Sequence, residues 1–222
     1  MSGKLIVLEG LDGSGKATQA KHLADALQQK DCRVRKISFP NYESDSSALV
    51  KMYLAGDFGK NPGDVNAYAA STFYAVDRYA GMKQTWGSFY NAGGILIADR
   101  YTTSNAVHQC CKLARECWDA YLDWLFRFEY ELLGLPAPDL VLYLRVPVSV
   151  NEKLMSERYH GNEQKKDIHE RDTEYLLQAH TAADYCAQKL GWHTVECTEN
   201  DVLRSIESIG SDVLKAAEAV LG

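Results

Sequence analysis

The chain has 222 residues, 46% hydrophobic and 24% charged, which is an ordinary composition for a globular protein able to bury a large core. Its formal net charge of −6 argues against a nucleic-acid polymer as the main partner, because such a partner requires a basic face, whereas a nucleotide needs only a local cluster of cations. No apolar run approaches the roughly 20 residues that cross a bilayer, and no signal-type segment begins the chain, so we expect a cytoplasmic protein without a membrane partner.

Alternating apolar runs and helical patterns organise the chain. The apolar runs predict five short β-strands, at Lys4–Glu9 and at residues 33–39, 95–98, 140–146 and 193–197. Helical spacing predicts helices at residues 18–30, 49–54, 67–86, 104–133 with room for a break, 148–157 and 173–190, and near the C-terminus. This alternation predicts an α/β fold, in which helices cover both faces of a five-stranded parallel sheet. No repeat or linker interrupts it, so we expect a single domain over residues 1–222.

The six cysteines are scattered along the chain. Without a signal-type segment they predict reduced thiols rather than a disulfide framework. Cys110, Cys111 and Cys117 lie close together but lack the paired C-x-x-C spacing of a metal site. We therefore interpret them as small buried side chains on a helix.

Residues 10–18, GLDGSGKAT, directly follow the first predicted strand, which is the context of a phosphate-binding loop. Glycines let backbone N–H groups turn inward around an anion, and the helix that follows presents its positive end. Gly10, Gly15 and Lys16 match the pattern G-x-x-x-x-G-K-[ST], and Lys16 is expected to contact the β- and γ-phosphates. Ala17 stands at the last position, so one expected hydroxyl ligand of magnesium is missing.

Polar residues follow several of the predicted strands. Because ligands of parallel sheets bind beyond the carboxyl ends of the strands, an acid or a base there is informative. Asp99 can orient magnesium or a phosphate acceptor, and Arg100 can bind a phosphate through two N–H groups. A surface ion pair is the alternative, which the nearby phosphate loop makes less favoured. Four segments are thus predicted on one rim: residues 10–16, 40–42, 99–100 and those after 146.

Three further side chains have two open interpretations each. Asp12 lies within the phosphate loop and either stabilises the turn or points toward a second substrate. Tyr74 and Arg78 are four residues apart and therefore share one helix face. In one interpretation the tyrosine stacks on a base and the arginine binds a carbonyl oxygen of that base. In the other, which the residues alone favour, the tyrosine is a core residue and the arginine is solvated.

The segment RYHGNEQKKDIHER, residues 158–171, is dense in charge. Most such runs are solvated loops, but in a phosphoryl transferase the same composition suits a mobile lid, here at about residues 157–172, that closes over a triphosphate. Charge on the transferred phosphoryl group requires positioned cations, and the phosphate loop contains only Lys16. Arg100 and the lid are expected to supply the rest.

Five motifs occur in order along the chain: LEGLDGSGKATQ, SFPNY, FYAVDR, DRYTTSNAVHQ and DIHERDTEYL. With these motifs the chain resembles thymidylate kinases of the P-loop nucleoside-monophosphate kinase group, from residue 3 to about residue 185. The resemblance implies the three-layer P-loop NTPase fold and ATP-dependent phosphorylation of dTMP to dTDP, with Mg²⁺ as cofactor. It also implies three partners: ATP, dTMP and a second copy of the chain in a homodimer.

The resemblance implies two sets of binding residues. The ATP set is the phosphate loop: Gly10, Leu11, Asp12, Gly13, Ser14, Gly15, Lys16, Ala17 and Thr18. The dTMP set comes from four segments: Asp12, Pro40, Tyr42, Tyr74, Arg78, Arg100, Ser104, Asn105 and His108. In the family pattern Tyr42 and Arg100 bind the monophosphate, Tyr74 stacks on thymine, and Arg78 contacts its carbonyl oxygen. Asp12 contacts the 3′-hydroxyl or the magnesium associated with it, and Ser104 and Asn105 face the pyrimidine.

Catalytic and metal-binding residues are implied in the same way. The catalytic set is Lys16, Asp12, Arg100, Asp99 and Arg158, and the metal set is Asp12, Asp99 and Glu170. Because no cation lies between Gly10 and Gly15, catalytic charge is expected from the lid, first from Arg158 and then from Lys165 or Lys166. His169 is implied to help close the lid over the monophosphate.

The chain departs from the family pattern at four positions: Ala17, Asn41, His108 and Arg145. Ala17 leaves magnesium to water, Asp99 or the phosphates. Many relatives have arginine at the position of Asn41, so weaker binding of the monophosphate is expected here. A tyrosine beside the sugar 2′ position is common at the position of His108, so discrimination against ribonucleotides is open. An acidic residue often stands in place of Arg145.

Two other functions stay open at this stage. A kinase of the same fold that acts on dUMP or a deoxynucleoside is one, although Tyr42 with Arg100 favours a monophosphate. A non-catalytic nucleotide-binding protein is the other, with Ala17 as its best argument, while Lys16, Asp99 and Arg100 argue for catalysis. A GTPase is disfavoured because no N-K-x-D motif occurs. By fold analogy alone, adenine is expected at about residues 198–201.

Overall fold

A five-stranded parallel sheet forms the centre of the protein. The computed structural model describes residues 3–159 and 173–222. The strands are β1 (Lys4–Glu9), β2 (Val34–Ser38), β3 (Ile95–Asp99), β4 (Leu140–Arg145) and β5 (His193–Glu196), and they lie across the sheet in the order β2–β3–β1–β4–β5. Four of them fall within a predicted strand, and β3 extends one residue beyond its predicted end at residue 98. The predicted α/β fold with five parallel strands is therefore confirmed.

The helices occupy the predicted regions, with several ends shifted by a few residues and one region broken. Their bounds are α1 (Lys16–Gln28), α2 (Ala48–Ala55), α3 (Ala67–Gly81), α4 (Gly87–Asn91), α5 (Thr102–Cys110), α6 (Trp118–Phe126), α7 (Val148–Tyr159), α8 (Thr173–Leu190) and α9 (Ile206–Leu221). A π-helical stretch, Met82–Trp86, joins α3 to α4, so the helix predicted at residues 67–86 continues to Asn91. The predicted break within residues 104–133 separates α5 from α6, and a second π-helical stretch, Arg127–Leu132, ends that region.

Both faces of the sheet are buried, as the continuous apolar strands predict. Successive residues of β1 point to opposite faces: Ile6 and Leu8 pack in one cluster with α1 and α9, and Leu5 and Val7 pack in another with Trp86. All four β1 side chains are fully buried. The β1 end that carries the phosphate loop is therefore fixed by packing on two sides.

A short antiparallel hairpin after β5 was not predicted. It consists of β6 (Thr198–Glu199) and β7 (Val202–Leu203), joined by Asn200 and Asp201, which have φ angles of 51° and 60°. Two consecutive residues in the left-handed region are the mark of a tight hairpin turn, and Asn and Asp tolerate that conformation. Strands of two residues are too short to give a periodic signal.

The lid predicted at about residues 157–172 falls almost wholly outside the described residues. Arg158 lies in the last turn of α7, whereas Lys165, Lys166, His169 and Glu170 are outside the described part of the chain. Among the helices that are described, none combines the length and the apolar character needed to span a bilayer.

Candidate functional site

The phosphate loop joins β1 to α1, and its backbone depends on glycine. Gly10 has a φ of 153°, and a Cβ atom there would lie 2.9 Å from the Leu144 carbonyl oxygen. Gly15, with a φ of 84°, stands at the N-cap of α1, and no side chain caps this helix. The N–H groups of the first turn can therefore bind an anion at the positive end of the helix.

Lys16 is buried against the loop, and its Nζ atom donates to the Leu11 carbonyl oxygen at 2.7 Å. Burial lowers the pKa of Lys16 to about 8, and the nearby Arg100 acts in the same direction. The carboxylates of Asp12, Asp99 and Glu9 oppose this shift without cancelling it. A bound polyanion would favour the charged form of this lysine.

The hydroxyl groups of the loop differ in what they can contact. Ser14 Oγ is buried and has no hydrogen-bond partner among the described residues. Ala17 has no hydroxyl group, and the side chain of Thr18 is exposed to solvent. A phosphate oxygen would satisfy the buried Ser14 hydroxyl.

Arg100 lies where the ends of β1 and β3 meet. Its Nη2 atom donates to Asp12 Oδ1 at 2.6 Å, and its Nη1 atom lies 3.7 Å from Glu9 Oε1. Burial would raise the pKa of Asp12, but the charges of Arg100 and Lys16 outweigh it and hold that pKa below its usual value. Burial would likewise lower the pKa of Arg100, and Asp12 and Glu9 instead raise it above its usual value. Both groups are therefore charged throughout the neutral range.

Glu9, the last residue of β1, was not predicted as a site residue. It is fully buried, and its carboxylate accepts from Gly10 N at 2.9 Å, Thr103 Oγ1 at 2.8 Å and Ser104 Oγ at 2.7 Å. These bonds fasten the start of the phosphate loop to the first turn of α5. A carboxylate at the end of an apolar strand was the available signal, since a buried charge requires partners.

His108 connects Arg100 to α8. Its Nε2 atom lies 3.2 Å from Arg100 Nη1, and its Nδ1 atom lies 3.3 Å from the hydroxyl of Tyr175. Arginine can only donate, so the Nε2 atom must accept and the proton of the neutral ring is on Nδ1. The tyrosine hydroxyl donates to the His108 carbonyl oxygen at 3.0 Å and can accept that proton.

One cleft contains every residue of the predicted dTMP set. Its lining includes Asp12, Pro40, Tyr42, Tyr74, Arg78, Arg100, Ser104, Asn105 and His108. Among the described residues, Phe39, Leu54, Tyr101 and Gln109 also line it. Of the four segments predicted on one rim, the one after residue 146 contributes no residue to this cleft within the described ranges 147–159 and 173–222.

The SFPNY segment is held against α3 by Asp77, another residue that the sequence interpretation missed. One carboxylate oxygen of Asp77 accepts from Asn41 N at 2.7 Å, and the other accepts from Ser46 Oγ at 2.5 Å. Tyr42 lies at the mouth of the cleft, and Tyr74 is half-buried, edge-on to Tyr53. A buried carboxylate thus joins this segment to α3.

Arg78 is buried, so the solvated arginine that the residues alone favoured is wrong. Its Nε and Nη2 atoms donate to the two oxygens of Glu129 at 2.7 and 2.5 Å, and its Nη1 atom donates to the Tyr101 carbonyl oxygen at 3.3 Å. The exposed fractions of the two side chains are 1% for Arg78 and 0% for Glu129. Glu129 lies in the π-helical stretch of residues 127–132, where no motif marks it.

Two amide side chains lie beside this pair. Asn105 Nδ2 donates to the Ser71 carbonyl oxygen at 3.2 Å and to Glu129 Oε1 at 3.1 Å, which uses both amide hydrogens. Gln109 is fully buried, and neither its Oε1 nor its Nε2 atom has a partner in the described residues. A buried unpaired amide in a cleft wall is suited to a ligand that has both a donor and an acceptor.

Asp99 ends β3 beside the phosphate loop, and no hydrogen bond or ion pair engages its carboxylate within residues 3–159 and 173–222. The same residues contain no cluster of three or more His, Cys, Asp or Glu side chains that could hold a metal ion. One or two carboxylates at a phosphate site are the usual protein contribution to Mg²⁺, which keeps waters and phosphates as its other ligands. Asp12 and Asp99 fit that pattern.

Arg145, one of the departures from the family pattern, is turned away from this cleft. Its Nε and Nη2 atoms donate to the two carboxylate oxygens of Asp184 on α8, both at 2.9 Å. The arginine thereby ties the end of β4 to α8. Its role is structural in the geometry that is described.

A phosphate loop after β1, a buried lysine on it, and a facing cleft with an arginine at the junction define the class of P-loop nucleotide-binding phosphotransferases. The thymidylate kinase family model matches residues 8–208, which is most of the chain. The protein therefore belongs to the thymidylate kinase family.

Individual relatives agree with this assignment. The chain is 34% identical over 187 residues to the thymidylate kinase of Mycobacterium tuberculosis, covering 82% of this chain and 83% of that one. It is 30% identical over 216 residues to a probable thymidylate kinase of Pyrococcus horikoshii, covering 96% and 95%. Among solved structures, the thymidylate kinase of Candida albicans matches with a TM-score of 0.69 at 21% identity, covering 98% of this chain and 92% of that chain. This match supports the fold.

Proposed function

We propose that this protein phosphorylates dTMP to dTDP with ATP as the phosphoryl donor. The observation that carries the proposal is the position of Arg100, which lies in the wall of the cleft and bonds to Asp12 of the phosphate loop. A monophosphate in the cleft and a triphosphate on the loop would therefore meet at one guanidinium group. Membership of the thymidylate kinase family supports the choice of substrates.

The donor half is the phosphate loop. Donors for phosphate oxygens come from the N-terminus of α1, the ammonium group of Lys16 and the hydroxyl of Ser14, which is buried and has no partner in the part of the chain that the structure describes. The adenine ring is proposed to lie near the β6–β7 hairpin, whose Val202 side chain is largely exposed and offers an apolar surface.

The acceptor half is the cleft. Tyr42 and Arg100 are proposed to bind the phosphate of dTMP, and Tyr74 to stack on its base. Asn105 has both amide hydrogens engaged, so its oxygen is the atom that can accept the N3–H proton of thymine. Arg78 and the unpaired amide of Gln109 can bind the thymine carbonyl oxygens.

Phosphoryl transfer between these halves requires positive charge more than covalent chemistry. Arg100 can donate to oxygens on both phosphates, because its guanidinium group has five N–H donors in a planar fork. Asp12 holds that group in place, and its own carboxylate can accept from the sugar 3′-hydroxyl of dTMP. Lys16 neutralises charge on the donor side.

Mg²⁺ is proposed as the cofactor, with Asp99 and Asp12 as the described residues that would contact it or its waters. When bound, the ion neutralises phosphate charge and aligns the oxygens of the triphosphate. Glu170 is a further proposed contact. Without a hydroxyl group at Ala17, we propose that phosphates and waters complete the coordination.

The segment at about residues 157–172 is proposed to act as a lid over the phosphates, with Arg158, Lys165 or Lys166 as a catalytic cation. Its density of charge supports this role. His169 is proposed to help close it.

We further propose a homodimer in a reducing, cytoplasmic setting. Tyr68, Val76 and Tyr79 project from one side of α3 and are 38% to 51% exposed, which supports an interface on that helix. All six cysteines are free thiols, as is usual in reducing compartments.

A monophosphate panel tests the proposed reaction. Purified protein with ATP and Mg²⁺ is assayed with dTMP, dUMP, dCMP, dGMP and the corresponding ribonucleotide UMP, and dTMP is expected to have the highest kcat/KM. A higher kcat/KM for dUMP would favour the alternative kinase. No turnover of any monophosphate would contradict the kinase assignment and favour a non-catalytic nucleotide-binding protein.

Replacement of Arg100 tests the mechanism. Arg100→Ala is expected to lower kcat/KM for dTMP by roughly 10²–10⁴-fold, because it removes the donor that serves both phosphates. Arg100→Lys keeps the charge beside Glu9 and Asp12 but loses the planar fork, so we expect an intermediate rate. Arg33→Ala is the matched control, because Arg33 is exposed and lies directly before β2, at the end of the strand opposite the cleft. Its kcat/KM is expected to equal that of the unsubstituted enzyme. A rate unchanged in Arg100→Ala would remove this residue from the mechanism.

The lowered pKa of Lys16 predicts proton uptake on ATP binding. At pH 8 about half of the Lys16 side chains are neutral, since the pKa is about 8, and the phosphates of ATP favour the charged form. Binding is therefore expected to take up a fraction of a proton at pH 8, and this contribution of Lys16 is expected to shrink as the pH is lowered to 6.5. Calorimetric titrations in buffers of different ionisation enthalpy measure this number. Lys16→Met is expected to abolish the uptake while Lys21→Met, at an exposed position on α1, retains it; equal uptake in Lys16→Met would contradict the assignment.

A further inference from the structure

Glu129 is the most extensively bonded side chain behind the cleft, yet no motif marks it. It is fully buried, and its carboxylate accepts from Arg78, Asn105 and Thr102. We propose that Glu129 is the positioning residue for pyrimidine specificity. It fixes Asn105 with its amide oxygen toward the cleft, and it fixes Arg78 with N–H donors toward the cleft. The site therefore selects a base that presents an N–H group next to a carbonyl group. This inference rests on the proposed binding of a pyrimidine monophosphate in the cleft.

The orientation of the Asn105 amide follows from its neighbours. Its Nδ2 atom faces the Ser71 carbonyl oxygen at 3.2 Å and Glu129 Oε1 at 3.1 Å, and both of these atoms only accept hydrogen bonds. The opposite orientation would direct the amide oxygen at two acceptors, one of them charged. A buried acceptor pair of this kind is costly, so the amide cannot turn without losing both hydrogen bonds.

Arg78 is fixed by the same carboxylate. Two parallel bonds at 2.7 and 2.5 Å join it to Glu129, and the Nη1 bond to the Tyr101 carbonyl oxygen sets the plane of the guanidinium group. These bonds use three of its five N–H groups, one on Nε and one on each Nη atom. The Arg78 side chain lines the cleft. Its remaining N–H groups can donate hydrogen bonds but cannot accept them.

The location of Glu129 makes this arrangement rigid. The π-helical stretch of residues 127–132 directs the carboxylate inward, although its neighbour Glu131 is exposed. Thr102 Oγ1 adds a fourth hydrogen bond at 2.7 Å from the first turn of α5. Removing one partner of an ion pair that is buried this deeply strongly destabilises the protein, because the other charge is left without a partner.

The chemical consequence is a choice between two kinds of pyrimidine. Thymine and uracil present an N3–H donor next to a carbonyl acceptor, which matches a fixed Asn105 oxygen and a donating Arg78. Cytosine presents a lone pair at N3 and an amino group at C4, so it would direct an acceptor at an acceptor and a donor at a donor. A site built on such fixed groups rejects the wrong base because its polar atoms lose their partners.

Equilibrium binding of two monophosphates tests this role. The dissociation constants of dTMP and dCMP are measured calorimetrically for the unsubstituted protein and for Glu129→Gln. Glutamine has only one acceptor oxygen, so it cannot hold both the Asn105 amide and the Arg78 guanidinium group as Glu129 does, and we expect the ratio Kd(dCMP)/Kd(dTMP) to fall at least about tenfold. Glu131→Gln, the same change at the exposed neighbour, is expected to leave the ratio unchanged. A ratio in Glu129→Gln within about twofold of the original value would overturn the proposal.

A second variant covers the case in which Glu129→Gln does not fold. Glu129→Asp keeps an acceptor-only carboxylate, so binding of both ligands is expected to weaken while their ratio stays within about threefold of the original. A collapsed ratio in Glu129→Asp would contradict the proposal. Because the ratio compares two ligands on one preparation, a general loss of folded protein cancels.

The positioning role and the proposed reaction fail in different ways. When Asn105 is already replaced by alanine, Glu129→Gln can no longer act on the Kd ratio through Asn105. The effects of the two substitutions on the ratio are therefore expected to be less than additive. Full additivity would overturn the coupling. If the protein binds dTMP selectively but transfers no phosphoryl group, the proposed reaction fails while this inference stands; if it binds dTMP and dCMP equally, the inference fails.

Discussion

Arg100 and the carboxylates of Glu9 and Asp12 form the interaction on which the site depends. Parallel pairing of β1 with β3 places Leu8 opposite Asp99, so the residues that follow these strands necessarily meet. Burying a carboxylate such as Glu9 is costly unless it is bonded, and two hydroxyl groups, one N–H group and the nearby guanidinium group compensate that cost. Arg100 has a φ of 66°, in a region that L-residues rarely adopt, and these contacts hold it there.

The phosphate loop and the cleft are supported by different buried carboxylates. Glu9 fastens the phosphate loop to α5, Asp77 fastens the SFPNY segment to α3, and Glu129 joins α3 to α5 through Arg78 and Asn105. Each carboxylate has its partners on other elements of the chain. The side chains that face a ligand are therefore held by groups that do not face it, which is how a site keeps its geometry before a substrate binds.

Sequence patterns predicted the ligand-facing residues far better than these supports. The five strands follow from apolar runs, and the rule for carboxyl ends of parallel strands places Asp12 and Arg100 on one edge. All nine residues of the predicted dTMP set line one cleft, although their individual roles stay predictions. Residue type alone also favoured a solvated Arg78, which is wrong because Arg78 is buried against Glu129. The sequence does not reveal this pair, since Glu129 is 51 residues away and bears no motif.

Glu9, Asp77 and Glu129 could not be assigned from sequence because a single buried acid is recognisable only once its partners are known. Glu9 ends an apolar strand, which predicts burial but not the partner, whereas Asp77 and Glu129 have charged residues nearby in sequence and give no such signal. The β6–β7 hairpin escaped prediction because two-residue strands have no periodicity. Ala17 was correctly identified as a missing hydroxyl, and Ser14 is the buried hydroxyl of the loop without a partner among the described residues.

The central claim is that the phosphate loop and the cleft form adjoining halves of one site, with Arg100 between them. A compound in which thymidine and adenosine are joined 5′ to 5′ by a chain of five phosphates tests this adjacency, since it can occupy both halves only if they adjoin. The account predicts that its Kd, measured by calorimetry, is at least about 10²-fold lower than that of ATP or dTMP alone. A Kd no lower than that of the better single ligand would contradict it.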